Sequence, residues 1–95
     1  MKTLHLFFAL ALIHTMAFAE SAIGFQSSDS VTSVLKRQVG QRVELRLKSG
    51  EKIGGKIEGL GEKLVHLSAV TGMEYYEAVV AVEDVSAVLV RAAAK

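Results

Sequence analysis

The 95 residues carry 11 Lys and Arg against 10 Asp and Glu, and they include no Cys, Pro or Trp. Without cysteine there is no disulfide, no thiolate metal site and no lipid-modified N-terminal Cys. A balance this close to neutral argues against a nucleic-acid binder, which normally carries a basic face.

Residues 1–19 read as a cleavable signal peptide. Lys2 gives the positive start, Leu4 to Phe18 the apolar stretch, and Ala17-Phe18-Ala19 the small-x-small cleavage site, so the cut is expected before Glu20. The competing reading is a retained anchor, but the stretch is short for a span, which needs about 20 apolar residues. Export implies a periplasmic or secreted protein with no membrane span after cleavage. Removal of Lys2 with the signal leaves basic and acidic residues equal in number. The remainder is one small domain, marginally stable alone, and without disulfides oligomerisation is the expected source of extra stability.

Residues 20–30 read as a flexible leader. Ser27-Ser28-Asp29-Ser30 offers several N-cap side chains. Val31, Val34, Leu35 and Gln38 follow at helical spacing, so a short amphipathic helix is predicted, ending near Gly40. The period then changes to two. Val43, Leu45 and Leu47 alternate with Glu44, Arg46 and Lys48, as in a strand with one buried face. Ser49-Gly50-Glu51 is a turn, and Ile53, Gly55 and Ile57 continue the alternation in a second strand. Gly54, Gly55, Gly59 and Gly61 suggest that this region bends sharply, as small barrels require. Leu64 to Leu67 is a third strand, Ala69 to Gly72 a turn, and Met73 to Val82 a long fourth strand. Glu83-Asp84 is a tight link, Val85 to Val90 the fifth strand, and residues 91–95 a tail. The domain proper is therefore 31–90: mainly β, a short helix followed by a five-stranded, strongly bent antiparallel small barrel.

Charge is unevenly spread. Residues 36–63 hold Lys36, Arg37, Arg42, Arg46, Lys48, Lys52, Lys56 and Lys63 against Glu44, Glu51, Glu58 and Glu62, whereas residues 64–90 hold Glu74, Glu77, Glu83 and Asp84 and no Lys or Arg. Two solvated faces would account for this, and so would a head-to-tail contact between copies.

Val43-Glu-Leu45-Arg-Leu47-Lys-Ser-Gly50-Glu-Lys-Ile53-Gly-Gly55-Lys-Ile57-Glu-Gly-Leu60 resembles the first motif of the Sm-like superfamily: alternating apolar residues, a turn glycine, then apolar-x-Gly-x-apolar. Asp84-Val85-Ser86-Ala87-Val88 is similar to the end of the second motif, and the bacterial Hfq-like branch fits best. The resemblance implies the Sm-like (SH3-like) barrel and a ring in which strand four of one subunit pairs with strand five of the next. It does not carry the family's RNA site. Gly61 stands where the pattern places Asp, Val65 where uridine-binding members use Asn, and Val82, Glu83 and Asp84 where the Hfq-like branch has Tyr-Lys-His. Acidic groups there repel phosphate, so nucleic acid is not the expected partner.

No catalytic constellation stands out. His66 is the only His beyond the signal and has no Cys or second His to share a metal. Glu83-Asp84 alone is weak support for a cation site. There is no G-x-S-x-G elbow and no phosphate loop. An enzyme is not expected, and neither a cofactor nor a metal. Tyr75-Tyr76 on a strand would put one ring on each face. Ala78 to Val82 is apolar on both faces, as in a strand that is central or paired with another molecule. The expected oligomer interface is thus Tyr76, Val79, Val80, Val82, Val85 and Val88, with a periplasmic protein as a further partner. The alternative is a polyanion- or RNA-binding ring that uses Lys36, Arg37, Arg42, Arg46, Lys52 and Lys56.

Overall fold

The computed structural model describes residues 21–92, so the expected signal peptide and the last three residues of the tail lie outside the described residues. Helix α1 spans Val31–Arg37. The Ser30 hydroxyl accepts the Ser33 N–H at 3.1 Å and the Ser33 hydroxyl accepts the Ser30 N–H at 2.9 Å, so each side chain satisfies a free donor of the helix start. Leu35 is fully buried and Gln38, just past the helix, nearly so. The chain leaves the helix through Gly40, whose φ of 91° suits glycine.

Residues of the expected leader make specific contacts with the helix. The Arg37 guanidinium grips both Asp29 carboxylate oxygens, at 2.9 and 2.7 Å, and reaches the Ile23 and Gly24 carbonyls at 3.3 Å. Gln38 Nε2 donates to the Ala22 carbonyl at 3.2 Å. These contacts tie residues 22–29 across the helix.

Five strands follow: β1 Arg42–Leu47, β2 Lys52–Leu60, β3 Leu64–Ser68, β4 Ala78–Ala81 and β5 Val85–Leu89. They form one antiparallel sheet in the order β4-β3-β2-β1-β5. Inward residues alternate along each strand, so Val43 and Leu45, Ile57, Val65 and Leu67, and Val80 meet in one core under Leu35, with Val82 and Val85 closing it. Two register shifts, between Ile57 and Gly59 and between Arg46 and Leu47, increase the bend of the sheet. The turn Val82–Asp84 is a short 3-10 helix. Its Val82 N–H bonds the Lys63 carbonyl and its Asp84 carbonyl accepts the Lys48 N–H, so it joins the β2–β3 turn to the β1–β2 turn and rolls the sheet up.

The fourth strand is shorter than the expected Met73 to Val82. Met73 to Glu77 lies outside it. Ala69 and Gly72 take positive φ, and the Met73 and Tyr76 N–H groups bond the Val70 and Met73 carbonyls, so the backbone is spent on local turns. Tyr75 is fully exposed and Tyr76 mostly so; neither ring is a core residue.

Candidate functional site

The open edges of the sheet are β4 and β5. Each has a single strand partner, β3 and β1 respectively, so one side of each backbone has no ladder in the monomer. Val79 stands opposite His66 on the outer face of β4 and is 63% exposed. Leu89 stands opposite Glu44 on the outer face of β5 and is 41% exposed. Beside β4 a groove of about 1060 Å³ opens between Val79–Ala81, the Val70–Met73 turn and the β1–β2 hairpin.

The six residues expected at an interface divide sharply. Val80, Val82 and Val85 are buried in the chain's own core and have almost no side-chain surface to offer a partner. A barrel this small needs the inner face of every strand for itself. Val88, opposite Leu45, is half-buried against the same core. Only Tyr76 and Val79 are open. Leu64 and Leu89 are also exposed: alternation from the buried Val65 marks Leu64 as outward-facing, whereas Leu89 faces outward through its pairing with Glu44 after the register shift in the β1–β5 ladder.

The six cations split as well. Arg42 pairs across the ladder with Lys56, and Arg46 with Lys52, so four share the outer face of the β1–β2 hairpin. Lys36 and Arg37 sit apart on α1. Arg37 is held by Asp29, Arg46 by Glu44 at 2.9 Å, and Lys56 lies 3.9 Å from Glu58. Arg42 donates to the Ala69 carbonyl at 2.8 Å and to the Thr71 hydroxyl at 3.0 Å. Among the described residues only Lys36 and Lys52 of the six lack such a partner.

On the outer face of β2 and β3 two polar pairs sit side by side. Ser68 Oγ donates to Glu58 Oε2 at 2.5 Å, and His66 Nε2 meets Glu77 Oε1 at 2.6 Å. The Ser68 hydroxyl, and secondarily Lys56, hold the Glu58 carboxyl below its ordinary range. The serine is bonded to a carboxylate rather than to the imidazole, so this pair is not the nucleophile–base arrangement of a hydrolase.

No protein-family model matches the chain, and no curated protein does. Among solved structures, the SmAP (LSm) protein from Methanococcus vannielii is similar over 70% of this chain and 100% of its own, with a TM-score of 0.56 and 19% identity. The chain has the Sm-like fold. At that identity the likeness concerns the path of the backbone, and the Sm-like barrel here carries its own surface chemistry. No helix among the described residues is long and apolar enough to cross a membrane.

Proposed function

We propose that this chain is an exported, non-enzymatic Sm-like module, nearest the Hfq-like branch, that assembles head to tail and serves as a binding or scaffolding unit. The observation that carries the reading is the pair of open edges, β4 and β5, each bearing an exposed apolar residue on the same outer face of the sheet. An exposed apolar edge is a liability unless something covers it. Antiparallel addition of β5 from a neighbour to β4 continues the sheet and covers Val79 and Leu89 together. Such a contact is heterologous, and it closes into a ring if the rotation permits.

Light scattering on protein recovered from cells expressing the full chain tests this directly, with a multimeric mass expected. A stable, folded monomer at tens of micromolar, about the range where a weak edge contact still registers, would refute the assembly. Mass spectrometry of the same protein checks export: the N-terminus is expected at Glu20, and full-length chain held in the membrane would contradict it.

The hairpin face with Arg42, Arg46, Lys52 and Lys56 favours a second reading, a polyanion-binding ring. Its weakness is that three of those four cations already have polar partners. Fluorescence anisotropy with short A-rich and U-rich RNAs at physiological salt separates the two. No sequence-selective binding is expected; submicromolar, sequence-dependent binding would promote the second reading.

A further inference from the structure

The connection from β3 to β4, residues 69–77, is built with unusual care at its base and leaves its tip bare. Val70 is buried beneath it. The Thr71 N–H bonds the Gly54 carbonyl at 3.0 Å, and Arg42 holds Ala69 and Thr71 from β1. His66 fixes Glu77 at the other end. Between these anchors Met73, Tyr75 and Tyr76 project, half or more exposed, and Tyr75 entirely so. Large apolar side chains held out by a braced loop have the character of a recognition surface, because their order is not needed for the core.

We infer that this tip is a docking site for a Lys- or Arg-bearing segment of a protein partner. The charge on the page selects that occupant. Glu74 and Glu77 flank the two tyrosines, and the nearby cation Arg42 is engaged with Ala69 and Thr71 at the base of the connection. Tyrosine faces attract a cationic side chain laid over them, and neighbouring carboxylates reinforce the attraction. Phosphate-rich ligands and anionic lipid surfaces are repelled by the same pair of carboxylates. The inference deepens the proposed binding role: a ring would present one tip per subunit, and repeated weak contacts gain by avidity.

The probe is a fluorescent octapeptide of alternating Gly and Lys, compared with its Gly-Glu counterpart, titrated by anisotropy into protein from cells expressing the full chain. Saturable binding of the lysine peptide alone is expected, weakening as salt rises. Replacing both rings (Tyr75→Ala with Tyr76→Ala) is expected to weaken it about tenfold, and the Phe pair to keep it within about threefold. Both tyrosines lie outside the core, so circular dichroism should be unchanged. Equal binding of the acidic peptide, unaltered binding by the Ala pair, or binding of phosphatidylcholine vesicles in place of the peptide would overturn the inference. Light scattering on the same samples keeps the two readings apart. A monomer that binds the peptide through its tyrosines sustains the tip and sinks the ring; a ring blind to the peptide sinks the tip alone.

Discussion

Gly54, Gly55 and Gly59 lie within one strand, yet they answer to different neighbours. A Cβ on Gly55 would stand 2.9 Å from the Ser68 carbonyl oxygen and 3.2 Å from Leu67 Cβ. That oxygen belongs to a strand held in register by the Lys56–Ser68 pairing, so it cannot step aside. Gly55→Ala is therefore expected to destabilise the domain by about 1–3 kcal/mol, read as a lower midpoint in urea. A Cβ on Gly59 would meet nothing within 4 Å, and the same substitution there is expected to be neutral or to stabilise by up to about 1 kcal/mol through the unfolded chain. A similar loss at both sites would show that strand propensity, not close approach, governs these positions. The run of glycines was legible as a bend, because glycine inside a strand has few other uses. Which glycine the bend requires was not legible, since it depends on β3 and on Thr71, whose Oγ1 would lie 2.8 Å from a Cβ on Gly54.

At the scale of elements, the sequence pattern located all five strands, and it failed where local hydrogen bonds overrode it. The fourth strand reads as continuous from Met73 to Val82, but the turns around Gly72 claim the backbone of its first half. Of the four N-cap candidates at 27–30, Ser30 caps the helix and Asp29 is bound by Arg37, a contact that only the folded helix brings together. The Arg37 guanidinium, together with the Gln26 N–H and the Ser33 hydroxyl, holds the Asp29 carboxyl well below the usual carboxylate range. A folded-state pKa lowered in this way adds stability that is complete above the unfolded value, about 3.9, and is lost as pH falls through the folded value. The Tm of the protein should thus exceed that of Asp29→Asn by a constant margin from about pH 5 upward, and the margin should shrink below about pH 4. Thermal melts across that range check it. A margin that persists unchanged into strong acid would mean that shape, not charge, holds residues 22–29 against the helix.

For the molecule as a whole, the resemblance carried by Val43 to Leu60 implied a ring joined through strands four and five, and the sheet order makes these two strands the edges. The identity of the contact residues was less legible, because a run such as Val79-Val80-Ala81-Val82 does not say which valine faces the core. The register does. Val80 lies opposite the buried Val65, and Val79 opposite the half-exposed His66. If β5 of a neighbour continues the sheet beyond β4, Leu89 and Val79 fall on the same outer face. Covering the exposed parts of these two side chains is worth about 1–3 kcal/mol per contact before association costs, so the backbone ladder and the closure of a ring must contribute the rest. Placing Lys at both positions removes the apolar gain and sets two like charges on the new strand pair, which is destabilising. Neither residue belongs to the core cluster, so the Val79→Lys, Leu89→Lys protein should remain folded. It is expected to scatter light as a monomer, and its Tm should lose any dependence on protein concentration that the parent shows. A double variant that keeps the parent's mass would move the contact away from these edges, even if the parent is a multimer. The same experiment on Val80 would decide less, because that side chain supports the barrel itself and its loss would unfold the subunit before it could reveal anything about its neighbours.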